Sequence, residues 1–283
     1  MAQRQHRIVA VIDPTRSEQW ALQHAVDLAK KRGGSEVVAY LCASSSLKTV
    51  DEAELTAVEE RRQALWLNEI LADFSADGVA VKPLVQSAAD WKGAIVETAE
   101  ELGANVVVKR NSVRPKSVTN SDRHLIRNLQ CAILLVKSEP KTRYDRILAA
   151  MNFNADDHDH VALNDAVLNV CNDIRSRSAE TELHVVNAYA EPMQFVHPPD
   201  IAKKVGIERS QVHSIEGRPP KIIGSVARDI DADLVVLGNV GRRGLKGISI
   251  GNTAEKMLSE FGGDLLIISR ETQAERGVET VRS

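Results

Sequence analysis

The sequence predicts an α/β protein of two tandem doubly wound domains (Rossmann-like), each on a parallel sheet of about five strands. Three observations predict it. Short apolar, β-branched runs alternate with amphipathic stretches long enough to be helices. The pattern occurs twice, because Arg7-Ile-Val-Ala-Val-Ile-Asp13 matches Arg146-Ile-Leu-Ala-Ala-Met-Asn152 at an offset of 139 residues (146 − 7). The chain of 283 residues is also long enough for two ordinary domains.

Each first run is apolar without alternation, as expected of a strand buried on both faces of a parallel sheet. A helical pattern follows: Leu22, Ala25, Val26 and Ala29 in the first copy, Leu163, Val167, Val170, Cys171 and Ile174 in the second. Second strands are expected at 36–42 and 182–188, fourth strands at 104–110 and 232–238, and last strands at 131–136 and 264–269. Between its second and third strands the first copy has a long helical segment, 51–74, with Asp51 and Glu54 spaced as a capping box. The matching stretch, 191–209, is shorter and holds Pro192, Pro198 and Pro199, leaving only 200–205 for a turn or two of helix. One face of the second sheet is therefore expected to be less covered, open to a groove or a partner. The domains are placed at 1–139 and 143–272, joined by a short polar linker, with a frayed polar tail at 273–283.

Composition narrows the function. Hydrophobic residues make up 43% and charged residues 27%, with a net charge of −3, so no basic field gathers nucleic acid or an anionic membrane. No apolar run approaches the ~20 residues of a membrane span, and the N-terminus lacks a signal peptide's apolar region; the expected location is cytoplasmic. Cys42, Cys131 and Cys171 have no CxxC spacing and read as small core residues. Asp156, Asp157, His158, Asp159 and His160 precede a helix expected to begin at Val161, where acidic residues suit the dipole. They form no complete metal-ligand set, and no metal is required. No GxSxG elbow occurs and Ser249 has no identifiable base, so no catalytic residue is assigned. Trp20, Trp66 and Trp91 read as packing residues.

The chemistry concentrates after the fourth strand of the second copy, in Gly238-Asn-Val-Gly241-Arg-Arg-Gly244-Leu-Lys-Gly247-Ile-Ser-Ile-Gly251-Asn-Thr. Open parallel sheets bind ligands beyond the carboxyl ends of their strands. Glycines let backbone N–H groups approach phosphate oxygens, and the helix expected from about Asn252 offers free amides and a positive dipole end. Arg242, Arg243 and Lys246 add positive charge. The glycines equally suit a tight turn with Asn252 and Glu255 as a helix cap. The segment is neither a Walker A loop nor a dinucleotide fingerprint.

The spacing Gly238-x2-Gly241-x9-Gly251 resembles the ATP-binding signature of the universal stress protein family, and the chain resembles that family's tandem two-domain members over both copies. The resemblance implies a five-stranded sheet, domain pairing through the last strands, and ATP held by the glycine loop. By that resemblance Gly238, Gly241 and Gly251 are phosphate-loop positions, Asn152 lies on the adenine side, and Asn187 or Ala188 marks the second-strand edge. The set of expected ligand residues is completed by Arg242, Arg243, Asn252 and Thr253. Asn252 stands where the family usually has Ser or Thr, and Asn152 where it usually has Asp, so other phosphorylated ligands also fit. The first copy keeps Asp13, but the segment Lys109 to Asp122 has no glycine, and Lys109, Arg110, Arg114 and Lys116 read as a solvated basic loop. The run 121–127 resembles the first half of tandem members, where the loop is likewise degenerate.

The expectation is a non-catalytic stress-response protein that binds ATP or a related phosphorylated molecule in its second domain. The two domains are expected to pair within one chain, with a homodimer as a further option. A scaffold that uses the second domain's exposed sheet face for a partner or small molecule is the alternative, and a slow ATPase a third.

Overall fold

In the computed structural model the chain is described over residues 6–44, 52–74, 78–111, 120–154, 158–239, 253–254, 256–258 and 261–269. The chain divides into two compact units, Met1–Asn111 with Ile133–Pro140, and Ser112–Ala132 with Lys141–Ser283. The expected tail lies outside the described residues.

The first unit holds β1 (His6–Val11), α1 (Trp20–Arg32), β2 (Ser35–Ser44), α2 (Glu52–Phe74), β3 (Ala80–Ala88), α3 (Trp91–Glu101), β4 (Val106–Arg110) and β5 (Ala132–Val136). Its strand order is β3-β2-β1-β4-β5, and β1 pairs in parallel with both β2 and β4. Ile8, Val9 and Ala10 of β1 are fully buried, which explains the unbroken apolar run. α1 lays Leu22, Ala25, Val26 and Ala29 against the sheet and ends in Lys30, Lys31 and Arg32, whose charges suit its carboxyl dipole end. At the amino end of the sheet Glu36, 3% exposed, is gripped by Lys82 and by Arg7, whose Nε donates at 2.8 Å. Those two cations hold its carboxyl below the usual range.

The second unit repeats the plan with β6 (Arg146–Ala150), α5 (His158–Arg175), β7 (Glu182–Tyr189), α6 (Pro198–Val205), β8 (Val212–Glu216), α7 (Pro219–Asp229), β9 (Leu234–Asn239) and β10 (Asp264–Ser269). Its order is β10-β9-β6-β7-β8, with parallel pairing of β6 to β7 and β9, of β7 to β8, and of β9 to β10. The segment between β4 and β5, with its helix α4 (Asn120–Asn128), groups with this unit, and the Asn239 amide donates to the Ile126 carbonyl at 2.9 Å.

Four details differ from expectation. The edge strands β3 and β8 gave no apolar run, because nearly all of their residues stay at least partly exposed and β3 tolerates Pro83. α5 begins at His158, three residues before Val161. Pro198 and Pro199 open α6 rather than interrupt it, since a first-turn proline has no N–H to lose; Gly206, with φ +75°, ends the helix. The second sheet is also less bare than expected. α6 buries Ile201, Ala202 and Val205, and Ile215 is the one strand residue among the exposed large apolar side chains described.

Candidate functional site

In the second unit the chain leaves β6 toward β7 on one side and reaches β9 on the other. The crevice between the carboxyl ends of β6 and β9 is therefore the topological switch point, where open α/β sheets take ligands. Asn152 follows β6, and Gly238 lies near the end of β9, so these two expected residues flank it. Gly241, Arg242, Arg243, Lys246, Gly251 and Asn252 lie outside the described residues. Thr253 is half-buried and helical with Ala254, residues 256–258 are helical too, and Ala254, Met257 and Leu258 are buried.

Gly238 has a packing reason to be glycine. A Cβ there would lie 2.5 Å from both Cγ and Cδ2 of Leu163, on α5. The helix can approach β9 this closely only over a residue without a side chain.

The Asn152 side chain works locally. Its Oδ1 accepts the N–H of Asn154 at 3.1 Å, an Asx turn at the mouth of the crevice. Asn164 of α5 clamps the same residue's backbone: its Oδ1 accepts the Asn152 N–H at 3.1 Å and its Nδ2 donates to the Asn152 carbonyl at 2.7 Å. Asn187, fully buried in β7, accepts the Phe153 N–H at 3.2 Å through Oδ1 and donates from Nδ2 to Ser214 Oγ at 3.4 Å. Asn152 and Asn187 thus meet through the 152–153 backbone. Ala188, the next residue along β7, points to the opposite face of the sheet.

Several residues at this end gave no sequence signal. The Lys204 ammonium lies 5.5 Å from the Phe153 ring centroid. Tyr189 meets Phe195 edge-on at 5.8 Å, and Phe195 meets His197 at 5.0 Å. Lys204 reaches Phe153 from α6, and the Tyr189–Phe195–His197 contacts fall at irregular spacing in the segment after β7, so no periodic pattern announces them. Met193 on the same segment is 97% exposed.

The first unit fills the corresponding crevice differently. Ile8 pairs with Val106 and Ile147 with Leu234, so Arg110 occupies the place that Gly238 holds in β9. Its guanidinium stacks 3.5 Å from the Trp20 ring centroid, and its Nη1 donates to the Glu18 carbonyl at 3.2 Å. Lys109 is 8% exposed and its Nζ donates to the Arg110 carbonyl. The expectation of a solvated basic loop is corrected for these two residues: the strand carries them inward, where ring stacking and carbonyls accept the charge. Arg114 and Lys116 lie outside the described residues. Asp13 keeps the turn, its Oδ1 accepting the Thr15 N–H at 3.0 Å. Gln19 clamps its backbone as Asn164 does that of Asn152, at 3.1 and 2.7 Å.

Among the described residues no group of three or more His, Cys, Asp or Glu could hold a metal ion, and no helix is long and apolar enough to cross a membrane. None of the three cysteines forms a disulfide; burial pushes the Cys171 thiol up to about 12 and raises that of Cys42.

The sequence profile of the Universal stress protein family matches this chain twice, over residues 5–137 and 143–269. Universal stress protein E of Escherichia coli K12 is 28% identical over an alignment covering 95% of this chain and 95% of that protein. The Universal stress protein E homolog of Haemophilus influenzae is 25% identical, covering 92% of this chain and 96% of that protein. Among solved structures, a putative universal stress protein from Pseudomonas aeruginosa superposes with a TM-score of 0.75 at 24% identity, covering 94% of each chain.

Proposed function

Because the chain belongs to the universal stress protein family through both of its halves, we propose that it is a non-catalytic stress-response protein that binds one ATP, or a related phosphorylated small molecule, in its second unit. The observation that carries this reading is the position of the glycine-rich segment. It leaves β9 at the switch point between β6 and β9, whereas the first unit has Arg110 packed on Trp20 at the equivalent point. Gly241 and Gly251 would let backbone amides approach phosphate oxygens, Arg242 and Arg243 would neutralise charge, and Asn252 and Thr253 would add donors at the helix entry. Asn152, Asn187 and Ala188 would border the base. The fixed backbone at 152–153 gives that side of the crevice a preformed wall.

Titration calorimetry with ATP tests it. One site per chain is expected, weakened at least tenfold by Gly241→Ala or by Gly251→Ala. Two equivalent sites, or binding indifferent to both substitutions, would overturn it. Phosphate release should be no faster than in the Gly241→Ala variant, and faster release would favour an ATPase. The exposure of Met193 and Phe195, 97% and 41%, favours a second reading in which this end of the unit meets a partner or an apolar small molecule without nucleotide.

A further inference from the structure

α2 is the longest helix described, and its counterpart α6 has only 8 residues against its 23. Thr56, Glu60, Leu67 and Leu71 turn toward the unit; Thr56 and Glu60 are half-buried, and Leu67 and Leu71 are buried. The outward face is not wholly polar. Val58 is 67% exposed and Leu65, seven residues on, 63% exposed; Ala72 continues the same line after another seven and is also exposed. A seven-residue repeat is the spacing at which one helix offers a seam to another.

The charges beside that seam are arranged about its centre. Arg61 lies four residues before Leu65 and Glu69 four residues after, both exposed. They stand about 12 Å apart along the helix axis, too far to pair with each other. Neither forms an ion pair among the described residues, whereas neighbouring Arg62 is held by Glu59 at 3.0 and 2.7 Å.

We propose that α2 is a self-association surface, through which two copies of this chain pair antiparallel about a two-fold axis at Leu65. In that register Leu65 meets the partner's Leu65, Val58 meets the partner's Ala72, and Arg61 meets the partner's Glu69 twice over. A parallel pairing would instead set Arg61 against the partner's Arg61 and Glu69 against the partner's Glu69, which like-charge repulsion disfavours. The face carries Arg61 and Arg62 toward one end and Glu69 and Asp73 toward the other, so it suits its own reverse better than an anionic lipid surface or nucleic acid. Two large apolar residues on a single helix pair bury less than the ~1,200 Å² of a stable complex, so the dimer is weak and concentration-dependent.

Sedimentation equilibrium of the full chain from micromolar to about 1 mM tests this. The expected mass rises from the 31.0 kDa monomer toward twice that value. Leu65→Glu should weaken association at least tenfold by opposing two carboxylates at the axis, as should Arg61→Glu; Arg61→Glu with Glu69→Arg should restore it. Leu65→Cys should form a disulfide-linked dimer under mild oxidation, since the axis brings residue 65 onto itself. A monomer throughout, a dimer indifferent to Leu65→Glu, or no rescue by the paired charge reversal would each overturn the proposal. Circular dichroism of each variant shows that it is folded, which the exposure of all three positions leads us to expect.

Discussion

Gly238→Ala is the smallest change that separates packing from ligand chemistry in the second unit. The new Cβ would sit 2.5 Å from Leu163 Cγ and Cδ2 and 3.1 Å from Cδ1. Carbon atoms at rest stand roughly 3.5–4.0 Å apart, so the overlap is about 1 Å or more. Neither side yields easily: β9 is hydrogen-bonded to β6 and β10, and Leu163 is only 6% exposed. Overpacking of this kind costs about 1–3 kcal/mol. Gly238 is not in the left-handed region of the backbone, so alanine also gains about 0.4–1 kcal/mol by restricting the unfolded chain. The net expectation is a loss of about 1–2 kcal/mol.

Urea unfolding followed by circular dichroism should show a lower midpoint with unchanged slope. Leu163→Ala alone should cost about 2–5 kcal/mol through the cavity it leaves. The double variant should then lose less than the sum of the single losses, because the new methyl group enters that cavity. An unchanged or raised midpoint for Gly238→Ala, or strict additivity in the double variant, would refute the packing argument. A fall in ATP affinity with unaltered stability would instead assign this glycine to the ligand.

Two further predictions concern the same unit. His184 Nδ1 lies 3.2 Å from His213 Nε2, and burial lowers the pKa of both below 6.5, as does the charge of His184 for His213. The unfolded chain therefore takes up protons first as the pH falls, so their contribution to stability is full above about 6.5 and is lost on acidification through the folded values. His184→Gln should flatten the drop in unfolding midpoint between about pH 7 and 5 relative to the parent, and an identical drop would count against the pair. Asn152→Asp should leave stability within about 0.5 kcal/mol, because a carboxylate accepts the turn N–H as Asp13 does, while raising ATP affinity up to about tenfold if residue 152 faces the adenine. Unchanged or weaker binding would remove that residue from the site.

The parts of the fold legible in the sequence are those where burial is complete. β1, β6, β4 and β9 lie inside their sheets, and their central side chains are apolar on both faces, so the run itself identifies them. β3 and β8 are edge strands of their units, where one ladder is open. Lys82, Pro83 and His213 are tolerated there, and the pattern weakens accordingly. At the site, Asn152 and Asn187 are expected only through the resemblance to the universal stress protein family, since an asparagine at a strand end carries no signal of its own. Asn164 has no such pointer. Its role depends on α5 bringing a carboxamide back over a backbone twelve residues earlier, and Gln19 makes the same two bonds from only six residues away. No fixed spacing encodes that clamp, although the need for it recurs.

That recurrence separates what the duplicated fold requires from what differs between its two copies. Both units end their first strand in an Asx turn and clamp its backbone with a carboxamide, so a polar residue at 13 or 152 is explained by the turn alone, with or without a ligand. The units part company at the strand beside it. Leu163 settles against the bare Gly238 backbone, whereas the equivalent Arg110 requires the flat face of Trp20 and the Glu18 carbonyl to accommodate its charge. The difference between the crevices therefore begins inside the sheet, before the loop. Glycines placed after Asn111 would still follow a strand end occupied by Arg110 on Trp20. Only replacement of that residue and its platform together would give the first unit the packing that the second already has.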